Sequence, residues 1–390
     1  MSSPPTIVDT RSALVALAAR AGLAERIALD LEANGRFAYR ARVSTLQLAW
    51  ADEVVVVDPL APDIGGDLAP LGHLLGGAGP VKVIHDVGFD ARLLTEAGIA
   101  LGNVHDTALL AHWLGRASTG LASVAASELG VTLDKSLQAQ DWSARPLSDR
   151  SVQYLASDVV HLLSLDDKLW GEAEARGIVG EVLDETEYRL ASAARAVREP
   201  DPRPAFARAK GVDALSWADR AVFRRLVMAR EAEAERMDTP AGELVPTAVL
   251  LAIARARPAT LRDLGRIKSP VARRDPARVA EALLAAVALG VGDGDLSPAD
   301  RAWFEPQKLS PPLAKARRER DGRLSAWRKA EAVARSVHEQ VVLPGHCATD
   351  IVDENPGDLE ALAAIPGVGA RRVARYGAAI LAALGEPDTP

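Results

Sequence analysis

Short apolar runs bounded by turn residues dominate the first hundred positions of the chain, and they predict β-strands. A helical spacing at residues 11–20 leads into the first predicted strand, at residues 27–32. Further strands are predicted at residues 43–50, 53–58 and 81–84. Helical spacing then predicts helices at residues 88–97, 106–115, 120–129 and 148–175. Strands followed by helices predict an α/β domain in which a mixed sheet is covered by helices.

The chain beyond residue 197 has helical spacing, and two interruptions divide it. Three prolines between Pro200 and Pro204 mark a linker at residues 198–210. A stretch rich in Gly, Pro, Asp and Ser marks a second linker at residues 294–312. These linkers predict three domains: the α/β domain at residues 1–197 and two all-α domains at residues 211–293 and 313–388.

The two helical blocks share a closing pattern. Residues 258–264 and 356–362 both consist of proline, two residues, leucine, two residues and leucine. In each block an isoleucine, a short turn, an arginine-containing helix and a terminal apolar helix follow. We interpret the blocks as divergent copies of one helical module.

Composition excludes several classes of protein. Of the 390 residues, 48% are apolar and 25% are charged, which is typical of a soluble globular protein. Cys347 is the only cysteine, so a disulfide framework is excluded and the reducing cytoplasm is the expected compartment. Neither a signal peptide nor an apolar stretch of roughly 20 residues is apparent, so no membrane partner is expected. The glycine-rich fingerprints of nucleotide-binding loops are missing too, and a nucleotide cofactor is not expected.

Charge is distributed unevenly along the chain. The net charge is −7, and residues 1–170 account for all of it, with 13 basic against 20 acidic residues. The remaining residues balance, but two clusters are basic: residues 255–278 hold eight basic and two acidic residues, and residues 315–329 hold seven and two. A nucleic-acid-binding surface and ordinary solvated helix faces both explain such clusters.

Two acidic residues lie within the first predicted strand. An ionised carboxylate beside apolar segments is costly unless a positive charge compensates it, and Arg26 and Arg36 are each four positions from the nearer acid. Because Asp30 and Glu32 are two residues apart on a strand, both side chains project from one face and can share a metal ion. Oxygen ligands suit Mg²⁺ or Mn²⁺ better than zinc.

Three further residues extend this acidic set. Asp90 follows a turn at Gly88 and begins a helical segment. Tyr154 and Asp158 are four residues apart on a predicted helix and therefore share a face. If the fold brings the four carboxylates together, two metal ions about 3.5–4 Å apart are expected to neutralise them, as in phosphodiester hydrolysis.

The chemistry expected of such a cluster is in-line hydrolysis of a phosphodiester. One ion activates a water and the other stabilises the leaving 3′ oxygen. Tyr154, near the attacking water, could orient it or accept its proton. A free phenol with a pKa of about 10 is a poor base at neutral pH, so we assign it the orientation of the water unless the metal ions lower that pKa.

Residues 20–175 resemble the DEDD 3′→5′ exonucleases of the tyrosine-containing subgroup, which have a ribonuclease H-like fold. Asp30, Glu32, Asp90, Tyr154 and Asp158 each match a position of that motif. Further segments resemble the ribonuclease D family in particular: 46–48, 57–60, 105–107, 130–136 and 141–147.

The resemblance extends to the C-terminal half and carries expectations about the substrate. The two helical blocks resemble the tandem HRDC domains of ribonuclease D-like proteins. The resemblance implies a metal-dependent exoribonuclease that acts on the free 3′ end of structured RNA such as tRNA precursors. One departure is Leu31, which stands where threonine is common in the family. We expect no loss of activity from it, because its side chain points away from the acids.

Two sets of residues are candidates for contact with nucleic acid. Lys135, Trp142 and Arg145 lie in a loop that resembles the family, where packing and phosphate contact are both open. The segment 365–372 resembles the turn of a helix-hairpin-helix motif, in which backbone N–H groups at a helix N-terminus bind a phosphate beside arginines. A tight helix–helix turn explains it equally well. The candidates in that segment are Gly367, Gly369, Arg371 and Arg372.

Two other functions remain open for this sequence. A DNA 3′→5′ exonuclease for repair would need the same carboxylates, and the 2′-hydroxyl is the group that distinguishes the two substrates. A non-catalytic RNA-binding scaffold would keep the fold without hydrolysis, although the intact set of five residues argues against it.

Overall fold

The computed structural model describes residues 4–267, 275–305 and 309–385, and it divides into two compact units. The first unit comprises Met1–Ala33, Val43–Arg198 and Leu309–Pro390, and the second comprises Asn34–Arg42 and Glu199–Lys308. Some of the sequence-based expectations fall outside the described residues: part of the second predicted linker (306–308), the end of the second all-α domain (386–388), and Lys268, Arg273 and Arg274 of the first basic cluster. The predicted domain boundaries stay a prediction.

A six-stranded mixed sheet forms the centre of the first unit. Its strands in chain order are β1 (Thr6–Val8), β2 (Arg26–Ala33), β3 (Val43–Trp50), β4 (Glu53–Val57), β5 (Val81–Ile84) and β6 (Val104–Asp106). Their spatial order is β1-β4-β3-β2-β5-β6. β3 is antiparallel to both β2 and β4, and the other three pairings are parallel. The expected mixed sheet is confirmed, but β1 and β6 were not predicted, because three residues are too few for an alternating pattern.

Helices accompany this sheet along residues 11–198. They are α1 (Arg11–Ala21), α2 (Gly72–Leu75), α3 (Val87–Glu96), α4 (Thr107–Trp113), α5 (Leu121–Leu129), α6 (Asp149–Val159), α7 (Leu162–Ala175) and α8 (Val179–Arg198), with a 3₁₀ turn at Ala69–Leu71. The single helix expected at residues 148–175 is wrong, since α6 ends at Val159 and α7 begins at Leu162. No glycine or proline separates the two helices, so the sequence carries no break signal there.

The central strand β2 turns its two acids to one face of the sheet. Leu29 and Leu31 are buried on the opposite face, and burial of each leucine contributes about 1.5–3 kcal/mol to stability. In the antiparallel register with β3, Asp30 lies opposite Gln47 and Glu32 lies opposite Thr45. A one-residue slip would exchange the two faces, so the leucines fix where the acids point.

The second unit is helical in its described residues apart from the connecting segments. Its helices are α9 (Ala205–Arg208), α10 (Trp217–Arg236), α11 (Ala241–Leu244), α12 (Thr247–Ala256), α13 (Leu261–Leu264), α14 (Pro276–Asp293) and α15 (Pro298–Ala302), with a 3₁₀ turn at Val212–Ala214. α10 packs closely on α14 at Gly290, where a Cβ atom would lie 2.4 Å from the Val222 Cα.

The C-terminal part of the first unit repeats that helical order. Its helices are α16 (Pro311–Arg335), α17 (Glu339–Val342), α18 (Gly345–Glu354), α19 (Leu359–Ala364) and α20 (Ala370–Leu384). We call α10–α14 the first module and α16–α20 the C-terminal module.

Equivalent helices of the two modules have similar lengths and ends. α12 and α18 each span ten residues and end in a left-handed residue, Arg257 and Asn355. Thr260 and Asp358 each accept a capping hydrogen bond at the start of the following short helix. These correspondences support the interpretation of two copies of one module. Within the described residues no helix is both long and apolar enough to cross a membrane.

Candidate active site

Three of the predicted acids meet at one point. Carboxylate oxygens of Asp30, Glu32 and Asp158 all lie within 4.8 Å of one another. β2 supplies the first two, and the third comes from α6, which packs against β2, β3 and β4. A strand and a helix that are 126 residues apart in sequence thus combine to form one cluster of oxygen ligands, as the spacing of the acids predicts.

Asp90 lies in the first turn of α3 and is buried, with 5% of its surface exposed. Burial raises its pKa well above the usual value, and the charge of Asp30 is the next largest cause. Asp90 is not one of the three acids whose oxygens lie within 4.8 Å of one another. The sequence predicts a turn at Gly88 before this helix, but the structure has the turn two residues earlier. Gly88 is part of α3, and Asp86, with φ of 69°, makes the left-handed turn instead.

Tyr154 precedes Asp158 by about one turn of α6 and is also buried. Its ring packs against that of Trp142, with the ring centroids 5.6 Å apart. Burial raises the pKa of the Tyr154 phenol, and the negative charges of Asp158 and Glu32 raise it further. The phenol therefore stays protonated at neutral pH in the metal-free protein.

The clustered acids hold their protons unusually tightly. Burial, with the neighbouring charges of Asp30 and Asp158, raises the pKa of Glu32 to about 8. Burial raises the pKa of Asp30 to about 7, and burial with the charge of Asp30 does the same for Asp158. No lysine or arginine of the described residues forms an ion pair with these three acids. An all-oxygen site with uncompensated negative charge fits a hard divalent cation.

The neighbouring strand adds polar groups that the sequence did not single out as site residues. Gln47, opposite Asp30 in the register, is fully buried and donates from Nε2 to Thr45 Oγ1 over 2.7 Å, while its Oε1 has no partner among the described residues. The signal was present, because the polar residues Thr45 and Gln47 alternate with Leu46 and Leu48 and therefore share one face of β3.

The loop at residues 131–148 places its three candidates differently. Trp142 is buried against Tyr154, and Arg145 binds Asp58 through two hydrogen bonds of 2.6 and 2.7 Å. Both therefore have packing and positioning contacts. Lys135 is exposed and has no ion-pair partner among the described residues, so it is the one of the three that is free to contact a phosphate.

The turn of the C-terminal module contacts α8 of its own unit. The Arg372 backbone N–H at the start of α20 donates to Asp184 Oδ2 over 2.9 Å, and a Cβ atom on Gly369 would lie 2.2 Å from the Asp184 Cγ. Arg372 is fully buried, and its guanidinium donates to the carbonyl oxygens of Glu181 and Gly367. This helix N-terminus binds an anion, but the anion is a carboxylate of the same chain.

The contacts of the turn correct the expectation of a phosphate site. Arg372 is fully buried, Gly369 is partly exposed and lies against Asp184, and Gly367 packs against Tyr188 and His346. Arg371 is partly exposed, but it pairs with Asp184 and Glu187 at 2.9 and 3.0 Å. The motif identified an anion-binding turn, and the sequence could not indicate which anion occupies it.

Comparison with known families agrees with this arrangement. Residues 5–174 match the 3′–5′ exonuclease family, and residues 219–287 and 319–384 each match the HRDC domain. The paired HRDC matches confirm that the two helical modules are copies of one domain type.

Known ribonucleases D match most of the chain. Ribonuclease D of a Jannaschia species is 31% identical over 80% of this chain and 81% of that protein. Ribonuclease D of Gluconacetobacter diazotrophicus is 33% identical over 68% of this chain and 66% of that protein. The crystal structure of Escherichia coli RNase D, described as an exoribonuclease involved in structured RNA processing, aligns over 98% of both chains with a TM-score of 0.68 and 24% identity, which shows a shared fold. This chain belongs to the ribonuclease D family of 3′→5′ exoribonucleases.

Proposed function

We propose that this chain removes nucleotides from the 3′ end of structured RNA, such as a tRNA precursor, in a reaction that depends on two divalent ions. The observation that carries the proposal is the cluster of Asp30, Glu32 and Asp158, with oxygens within 4.8 Å of one another and without a cationic side chain as partner among the described residues. Mg²⁺ and Mn²⁺ both suit such oxygen ligands.

We assign the carboxylates to two ions. Asp30, Glu32 and Asp158, whose oxygens lie within 4.8 Å of one another, would hold one ion. Asp90, buried in the first turn of α3 and outside that group of three, would hold the other together with Asp30. Bound there, the ions supply Lewis acidity to the attacking water and to the leaving 3′ oxygen. The four carboxylates also fix where an RNA phosphate can approach, because they repel it unless cations are present.

Tyr154 is proposed to orient the attacking water or the scissile phosphate through its hydroxyl. In the metal-free protein the raised pKa of the phenol keeps its proton in place at neutral pH, which favours donation of a hydrogen bond over acceptance of a proton. Trp142 packs against the ring and restricts it, so the hydroxyl has few alternative positions. Lys135, exposed in the loop that flanks this ring, is the proposed phosphate contact.

The similarity to ribonucleases D favours RNA over DNA as the substrate of this chain. The curated proteins matched over most of this chain are ribonucleases D, and the structural neighbour from E. coli is described as acting in structured RNA processing. Cys347 is a buried free thiol, which supports a reducing compartment such as the cytoplasm.

The stability of the metal-free protein is predicted to fall as the pH rises from about 5 to about 8. The raised pKa values of Asp30, Glu32 and Asp158 mean that the folded state binds more protons than the unfolded state, so stability is lost as these groups ionise. Thermal melting in EDTA across this range, with and without excess Mg²⁺, measures the effect. Mg²⁺ should restore the Tm most at the upper end. A Tm in EDTA that is flat or rises over this range would contradict the prediction.

Replacing Asp158 with Asn is predicted to lower the catalytic rate and to raise the melting temperature of the metal-free protein. The amide cannot replace an anionic ligand, so kcat should fall about a thousandfold, equivalent to about 4 kcal/mol of transition-state stabilisation. The same change removes a repelling charge, so the variant should melt at a higher temperature than the parent in EDTA near pH 8. Asp149→Asn, an exposed acid on the same helix, is the control and should change neither property. Retention of substantial activity by Asp158→Asn would overturn the site assignment.

Replacing Tyr154 with Phe is predicted to lower kcat by about 10- to 100-fold and to leave KM unchanged, because only the donor is removed. The phenyl ring keeps its contact with Trp142, so the melting temperature should not change. Steady-state kinetics on a single-stranded RNA measure both parameters. An unaltered rate would show that the hydroxyl has no part in the reaction.

The substrate is tested with a 5′-labelled tRNA precursor carrying an extended 3′ tail, beside a DNA strand of the same sequence. Stepwise shortening of the RNA with Mg²⁺ or Mn²⁺, abolished by EDTA, is expected. Preferential shortening of the DNA would point to a repair exonuclease. Salt-sensitive RNA binding without hydrolysis would point to a scaffold.

A further inference from the structure

The N-terminus of α3, the helix that carries Asp90, is capped by a side chain from a different strand. The N-cap residue Asp86 adopts a left-handed conformation, its side chain is exposed, and it caps nothing. The carboxylate of Asp106, at the end of β6, instead accepts the N–H of Asp86 over 3.0 Å and that of Val87 over 3.4 Å. Asp90 is one turn further along α3, so its depth in the site depends on how that first turn is held.

The same carboxylate also caps the next helix. Asp106 accepts the backbone N–H groups of Ala108 and Leu109 at the start of α4, over 3.0 and 3.2 Å, and it is completely buried. One side chain thus fixes two helix N-termini against each other. The contact with α3 arises from the parallel pairing of β5 and β6, which places Asp106 opposite Ile84, just before the turn at Asp86.

An arginine from α8 completes the surroundings of Asp106. Arg189 donates to Asp106 Oδ2 over 3.2 Å and to Glu185, one turn earlier on its own helix, over 3.3 Å. A buried carboxylate that loses its charged partner is strongly destabilised, so the position of α8 bears directly on Asp106.

The C-terminal module also contacts helix α8. Asp184 accepts from the turn before α20, and Glu181 accepts from Arg335, Arg375 and the Tyr376 hydroxyl over 2.6–2.7 Å. A continuous series of contacts therefore runs from the C-terminal module through α8, Arg189 and Asp106 to the helix of Asp90.

We propose that Asp106 and Arg189 are positioning residues for Asp90, and that the C-terminal module fixes them by holding α8. The inference rests on the proposed metal-dependent hydrolysis. It assigns this module a part in building the metal site that does not require contact with RNA. Groups that orient metal ligands typically change metal affinity by about 10- to 100-fold when they are altered, and an effect in this range is expected at Asp106.

The test compares full-length Asp106→Asn with Asp166→Asn. Asp166 is an equally buried carboxylate that is held by Arg26 and His105, on α7, and it caps no helix of the site. Mn²⁺ binding is measured by the electron paramagnetic resonance signal of the free ion, melting by calorimetry, and kcat and KM on single-stranded RNA.

Asp106→Asn is expected to weaken Mn²⁺ binding about tenfold or more and to lower kcat with little change in KM. Asp166→Asn is expected to lower the melting temperature alone. Should Asp106→Asn fail to fold, Arg189→Met replaces it, with Arg189→Lys as the conservative variant that partly restores Mn²⁺ affinity. Wild-type Mn²⁺ affinity in the folded variant would overturn the proposal.

The part of the C-terminal module is tested by two glycine variants. Gly369→Ala places a methyl group against Asp184 and should displace α8, weakening Mn²⁺ binding in the same direction as Asp106→Asn. Gly377→Ala meets Leu359 inside the module and serves as the control, with unchanged Mn²⁺ affinity. A lower melting temperature for Gly369→Ala with wild-type Mn²⁺ affinity would limit the module to a stabilising function and overturn its assigned part.

Measurements on the parent protein distinguish a failure of the proposed function from a failure of the positioning proposal. If it neither binds Mn²⁺ nor shortens RNA, the proposed function itself fails. If it does both while Asp106→Asn behaves identically, only the positioning proposal fails.

Discussion

Repulsion among carboxylates that the fold presses together is the constraint on which this structure depends. Asp30, Glu32 and Asp158 lie within 4.8 Å of one another, and their pKa values rise because water and counter-charges are both withheld. A chain left to itself would separate these groups. The sheet register, the packing of α6 on the sheet and the capping of α3 hold the carboxylates together. Cations that bind there relieve the repulsion, which favours their binding.

The scaffold resists that repulsion with ordinary packing. The leucines on either side of Asp30 anchor β2 in the core, so the acids cannot rotate away without exposing them. Trp142 packs on Tyr154, and Arg145 joins the loop to Asp58 at the end of β4. Trp142 and Arg145, which were candidates for RNA contact, thus stabilise the catalytic helix. The positive charge of Arg145 is paired with Asp58 within the protein.

Local periodicity indicated which faces the acids occupy, and the resemblance to the DEDD exonucleases indicated which acids belong to one site. Two acids two residues apart on a strand, and a tyrosine four residues before an acid on a helix, define faces that any compatible fold must respect. The sequence could not indicate the contacts made between distant segments. Asp106 caps α3 only because β5 and β6 are neighbours, and Arg189 lies in a helix whose sequence gives no sign of its partner. The sequence left the turn at Gly369 open between a phosphate site and a tight helix–helix turn, and its partner Asp184 is 185 residues earlier.

The close contact between that turn and α8 also limits how the two segments can evolve. A side chain at position 369 is compatible with the present docking only if residue 184 becomes much smaller, and losing the Asp184 carboxylate leaves the Arg372 backbone N–H buried without its acceptor. Substitutions at the two positions should therefore occur together in natural sequences. A C-terminal module exchanged between relatives would dock only when its α8 partner is exchanged with it, so the module and that helix are expected to be inherited as one piece.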